Sequence, residues 1–246
     1  MSPSALDVFL AASATALATG LGAAPFLFSR ENVSRWNGMG NALASGLMAA
    51  ATALLFWEGA ALSLPRTLLG AGLGWGFIAV LERLIRQDRS VHIGDLNGAD
   101  VRKALLIMGV MTAHSLTEGI GVGVSFGGGD NLGTVISAAI AVHNIPEGLA
   151  ISLVLIPRGF TVGKAALWSI GSSLPQPLMA VPAFLFVGWF APLLPVGLGF
   201  AGGAMVWVVF RELLPDARAE LSDGATLVYV AIAFSLMMVF QLWLSL

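Results

Sequence analysis

Apolar runs of about twenty residues, broken by short polar connections, recur from one end of the chain to the other. A helix needs about 20 apolar residues to cross a hydrocarbon layer about 30 Å thick. Runs of that kind cover Val8–Ser29, Asn41–Leu64, Thr67–Leu84, Ala104–Gly127, Thr134–Ile156, Gly163–Phe190, Pro195–Leu214 and Ala225–Leu246. They predict an all-α membrane protein with eight transmembrane helices in a single domain, residues 1–246. Its one long connection is a loop over residues 85–103 between helices 3 and 4. The first run lacks a basic leader and is too long for a signal-peptide core, so it reads as a first spanning helix.

Composition agrees with lipid as the solvent. Hydrophobic residues make up 57% of the 246 and charged residues 11%, against about 25% charged in a soluble domain. Mean hydropathy is +0.86. The 30 glycines suit helices that approach through small-residue faces, Gly199-x-x-x-Gly203 being one. A net charge of −2 without a basic tract gives no reason to expect nucleic acid, and with no cysteine neither disulfides nor thiolate metal ligands arise. Loop charge orients the chain. With the N-terminus outside, the cytoplasmic ends receive every basic residue from Arg30 to Arg218 except Arg66, which is left alone outside. Both termini are then outside and the 85–103 loop is cytoplasmic. Its His92, near Asp88 and Asp95, reads chiefly as part of a solvated connection.

Ionisable side chains at membrane depth are costly and mark function. Helix 4 carries His114-Ser115-Leu116-Thr117-Glu118-Gly119 and helix 5 carries His143-Asn144-Ile145-Pro146-Glu147-Gly148. A spacing of four puts each imidazole and carboxylate on one helical face, one turn apart. With the connecting turn taken as Gly127 to Gly133, Glu118 and His143 are equally far from its centre, as are His114 and Glu147. At about 1.5 Å per residue both pairs lie roughly 14–20 Å deep. Facing helices would join Glu118 to His143 and His114 to Glu147. Two imidazoles and two carboxylates in one layer between helices 4 and 5 form a ligand set for a first-row dication such as Zn²⁺, and the carboxylates neutralise its charge. Pro146 would free the Val142 carbonyl and bend helix 5. Gly119 and Gly148 allow close approach of an ion or a partner helix.

These two motifs resemble the ZIP family of divalent-metal transporters. His143-Asn144-Ile145-Pro146-Glu147-Gly148 matches that family's HNxPEG signature, and the helix 4 motif is similar to its degenerate partner. The resemblance implies a transporter, not an enzyme. By the same resemblance such a transporter would carry Zn²⁺ first, with Cd²⁺, Fe²⁺, Mn²⁺ and Co²⁺ also suited, into the cytoplasm by alternating access of helices 1, 4, 5 and 6 against 2, 3, 7 and 8. The metal is substrate rather than cofactor. By the same resemblance His114, Glu118, His143 and Glu147 are the primary ligands, Met48 a helix 2 addition, and Asn144 and Ser115 their polar neighbours. Gln176 stands where relatives with two adjacent metals carry a carboxylate. Asn144, Ser115 and Gln176 are weak or neutral, so one tightly held ion is expected, with at most a low-affinity position beside it. A bacterial plasma (inner) membrane and a homodimer are implied by the resemblance alone.

Other classes fit the residues less well. An intramembrane metal-dependent hydrolase would use similar ligands around an activated water, but no H-E-x-x-H occurs and no third histidine lies in a span. A proton-coupled carrier of organic solutes or a purely structural protein gives no reason for two His-x-x-x-Glu motifs at matching depth.

Overall fold

The computed structural model describes residues 3–28, 33–87, 99–156 and 160–244, and these are helical with short connections and no strand. Helix α1 (Ala5–Thr19) starts at a reciprocal cap. Asp7 N–H donates to the Ser4 hydroxyl at 3.3 Å, and Ser4 N–H donates back to the Asp7 carboxylate at 2.9 Å. From Gly20 the helix tightens into 3₁₀ geometry through Leu27. That stretch holds two glycines and Pro25, which have low helix propensity and in the proline no N–H to donate.

Helix α2 runs Val33–Gln87, 55 residues, which laid straight would measure about 80 Å, more than twice the hydrocarbon thickness. It is not straight. Ser63 adopts extended backbone, φ −168° and ψ 99°, and Pro65 follows. Phe56, before the break, lies against Gly202, and Ala71, after it, lies against the adjacent Gly203. The two arms therefore run side by side, folded back at Ser63. Next come α3 (Ala99–Gly127) and α4 (Asp130–Leu155), then α5 (Val162–Ser173) and α6 (Pro175–Leu185). The expected sixth helix is thus interrupted at Leu174, where Pro175 opens a new helix instead of continuing the old one. A short α7 (Val187–Phe190) leads into α8 (Leu194–Val208), a π-helical turn (Val209–Leu213), α9 (Leu214–Glu220) and α10 (Asp223–Leu244).

Helix bounds correct one expectation. Residues 85–87 belong to α2 and 99–103 to α3, so the connection is shorter than 85–103; its His92 lies outside the described residues. Among the described residues, five stretches are long and apolar enough to cross a membrane: Ala5–Leu27, Gly38–Leu84, Asn131–Leu153, Val187–Glu220 and Asp223–Phe240. The outward faces match. Leu68, Leu69, Leu73 and Phe77 on the second arm of α2, and Leu227, Ile232 and Leu236 on α10, are all exposed. Water would not tolerate such a surface, while lipid does.

Packing falls into two groups. One joins α1, α3, α4 and α6; the other joins α2, α8 and α10. A core that includes Met48, Met111, Ile151 and Met205 lies where the groups meet. Within the second group, Gly199 and Gly203 let α8 touch backbone. A Cβ on Gly199 would strike the Thr67 carbonyl, and one on Gly203 the Ala71 carbonyl. This is the small-residue contact expected of the Gly199-x-x-x-Gly203 face. Overpacking of this kind costs about 1–3 kcal/mol. Gly203→Val should therefore lower the thermal unfolding midpoint in detergent, whereas Gly72→Val, at a position with nothing within 4 Å, should leave it nearly unchanged.

Candidate metal centre

The two helices that carry the His-x-x-x-Glu pairs are joined by two residues, not seven. α3 ends at Gly127 and α4 begins at Asp130, so the turn is Gly128–Gly129, and Gly129 has φ +125°, open only to glycine at little cost. The shorter turn moves the register. Its centre now lies 14.5 residues from His114 and equally far from His143, which places the two histidines opposite each other. Their rings stack with centroids 5.6 Å apart and planes 27° from parallel.

Side-chain direction completes the cluster. Cα–Cβ bonds tilt toward a helix N-terminus, so Glu118 on α3 leans back from the turn and Glu147 on α4 leans toward it. Both carboxylates converge on the level of the histidines. His114 Nε2 lies 2.7 Å from Glu147 Oε1 and 3.2 Å from Glu118 Oε1, and His143 Nε2 lies 3.4 Å from Glu147 Oε1. The expected His114–Glu147 contact is present. The expected Glu118–His143 ion pair is not among those formed, because the tighter turn raises Glu118 one helical turn above His143 and its other oxygen bonds Gln176. Even so, one ligand atom from each of the four residues lies within 4.8 Å of the other three.

All four are buried: His114 is 0% exposed, Glu147 1%, Glu118 6% and His143 7%. Both nitrogens of His114, Nε2 of His143 and both oxygens of Glu147 lack a partner in hydrogen-bond geometry. These atoms approach one another without aiming N–H bonds at acceptors, as donors arranged around a common point do. Each buried polar atom left this way costs about 1–3 kcal/mol. In a tetrahedron of bonds about 2.0–2.1 Å long, donor atoms stand about 3.3 Å apart. The 3.2 and 3.4 Å contacts have that length.

Beside the centre lies a neutral polar network. Gln176, fully buried at the start of α6, donates from Nε2 to Glu118 Oε2. Its Oε1 accepts from Thr15 Oγ1 at 2.6 Å and from Asn144 Nδ2 at 3.1 Å, and Asn144 Nδ2 also donates to the Thr15 carbonyl at 2.8 Å. Ser115 is fully buried and its hydroxyl has no partner. Met48 is fully buried in the core where the packing groups meet, and its carbonyl accepts from Thr52 Oγ1. The two glycines after the glutamates face helices. A Cβ on Gly119 would meet the Gln176 backbone and one on Gly148 the Thr19 carbonyl. They bring α6 and α1 against the motifs. Thr15 escaped the sequence reading. Its only signal is the polar pair Thr15 and Thr19, four apart on one face of a largely apolar helix, and Thr19 Oγ1 in turn meets Ser173 Oγ at 2.8 Å.

Comparison with known proteins agrees with this geometry. The family model described as ZIP Zinc transporter matches residues 82–241. Zinc transporter GufA of Myxococcus xanthus is 33% identical over 218 residues, covering 82% of this chain and 84% of GufA. A protein of Arabidopsis thaliana whose name proposes zinc transport is 48% identical over 214 residues, covering 86% of this chain but 34% of that protein. Zinc transporter ZIPB of Bordetella bronchiseptica is 32% identical over 152 residues, 61% of this chain and 49% of ZIPB. The chain thus spans about a third of the plant relative and about half of ZIPB. Helices apolar enough to cross a membrane, a buried His/Glu cluster and a family match over most of the sequence lead to one assignment: this chain is a multi-pass integral membrane protein and belongs to the ZIP zinc transporter family.

Proposed function

We propose that the protein moves divalent transition-metal ions, Zn²⁺ foremost, across a membrane into the cytoplasm through the His114, Glu118, His143 and Glu147 centre. The observation that carries this reading is the set of unpartnered nitrogens and oxygens converging in a buried interior. A dication there would satisfy donors that nothing else satisfies, and two carboxylates would offset its charge. Imidazole and carboxylate suit Cd²⁺, Fe²⁺, Mn²⁺ and Co²⁺ as well, with geometry and supply deciding among them. Buried Met48 is the soft group we assign to the approach from α2, and Ser115 a weak polar neighbour.

The topology we infer has eight crossings with both ends outside. The arms of α2 count as two, α3 and α4 as one each, and α5–α6 as one broken crossing. The same orientation puts the residue 88–98 connection in the cytoplasm, and the relatives from Myxococcus and Bordetella favour a bacterial inner membrane. The division of packing into α1, α3, α4 and α6 against α2, α8 and α10 supports alternating access, with the first group carrying the ion. Hydrolysis at the same cluster is not favoured, since the family is one of transporters.

Uptake into proteoliposomes loaded with a metal-sensitive dye tests the reading. Zn²⁺ or Cd²⁺ should enter, and His143→Ala and Glu147→Ala should each reduce the initial rate severely. Full flux in both variants would refute the centre. Metal binding requires neutral imidazole and ionised carboxylate, so protons compete with the ion. With the internal pH held constant, acidifying the outside should raise the KM for Zn²⁺. A KM indifferent to outside pH would mean that some other ligand set takes up the ion.

A further inference from the structure

The amide of Gln176 has one orientation that its neighbours accept, and that orientation originates in a backbone carbonyl. The Thr15 carbonyl can only accept a hydrogen bond. It takes one from Asn144 Nδ2 at 2.8 Å, which fixes the NH₂ of Asn144 toward α1. The second hydrogen of that group goes to Gln176 Oε1 at 3.1 Å. Gln176 must then turn its own NH₂ the other way, onto Glu118 Oε2. The Thr15 hydroxyl lies 2.6 Å from Gln176 Oε1 and 2.7 Å from the Ala12 carbonyl. With one proton to share between two acceptors it reinforces this direction without setting it. Asn144 and Gln176 are both fully buried, so water cannot replace a misdirected partner.

We propose that this one-way donor relay, Thr15 carbonyl to Asn144 to Gln176 to Glu118, makes the centre a single-ion site. Glu118 Oε1 faces His114 and Oε2 is held by an N–H. A second cation beside Oε2 would meet the positive end of the Gln176 amide. Rotating Gln176 to offer its oxygen would set its NH₂ against that of Asn144. Rotating Asn144 in turn would set its oxygen against the Thr15 carbonyl. Gln176 is therefore no weak ligand. Its oxygen already accepts from Asn144 and faces the Thr15 hydroxyl, and with Asn144 it is a positioning residue that orients Glu118. The proposal rests on the four-residue transport centre.

Equilibrium titration of the purified full chain in detergent with Cd²⁺ separates the two. Wild type should bind one tight equivalent, abolished by His143→Ala. A tight equivalent that survives His143→Ala would sink the transport centre itself. Asn144→Val removes the relay without adding charge. It should keep the His143-dependent equivalent, which shows that the chain is folded, and gain a second one as Gln176 turns its oxygen toward Glu118. Gln176→Glu, nearly isosteric, should bind that second ion at least about tenfold more tightly than wild type, a difference of about 1.4 kcal/mol. Two tight equivalents in wild type would overturn the relay while leaving the centre standing. So would a second equivalent that appears only in the variant with an added carboxylate, because charge alone would then be the cause.

Discussion

Two carboxylates and two imidazoles held in a membrane interior are tolerable only in one another's company. A single ionised side chain at that depth is expensive, and an isolated buried charge shifts or finds a partner. Here the helices spend much of their geometry on bringing the four groups together. A two-residue glycine turn places the histidines level, and the N-terminal tilt of side chains brings both glutamates to that level from opposite directions. The surrounding packing then holds the position. Gly119 lets α3 meet the α6 backbone, and Gly148 lets α4 meet the 3₁₀ junction of α1.

The same constraint explains why the neighbourhood is polar yet uncharged. Thr15, Thr19, Ser169, Ser173, Asn144 and Gln176 form a seam between α1, α4, α5 and α6. Helices in lipid gain no hydrophobic attraction for one another, so hydrogen bonds and close small-residue contacts hold them. A neutral seam supplies that attraction without adding charge beside the carboxylates. In the other group, where α8 meets both arms of α2, glycine contacts supply most of it. The two halves of the molecule are thus held by different means.

Much of this was legible in the residues. Apolar runs located the helices, because a membrane's thickness imposes a length that few other constraints imitate. The His-x-x-x-Glu pairs located the buried His/Glu cluster, because a spacing of four fixes a helical face. The losses came where backbone detail decides. Apolar composition does not distinguish an α-helix from 3₁₀ geometry at Gly20–Leu27, nor a continuous sixth helix from one reopened at Pro175. The run Gly127 to Gly133 looks like a long flexible turn, yet Gly129 alone provides the positive φ, and α4 starts four residues earlier than expected. That displacement changed which residues face each other. Thr15 was hidden because a threonine in an apolar helix is ordinary, and its role depends on a partner 161 residues away.

The contact between packing groups is where the proposed motion must be accommodated. Within the first group the links are backbone-close and hydrogen-bonded, which resists sliding. Between the groups the core is built largely of Met48, Met111, Met205, Ile151 and other apolar side chains. Methionine is unbranched and adapts to changed neighbours, and an apolar contact has no direction to lose when it slides. Pro146, between His143 and Glu147, removes one backbone hydrogen bond where the helix carries the proposed ligands. A bend there would alter the separation of a histidine and a glutamate one turn apart. The distribution of polar and apolar contacts therefore favours a unit containing α1, α3, α4 and α6 that moves with its ligand set intact. The slip then falls on the methionine-rich surface, and any loosening of the ion on the proline turn.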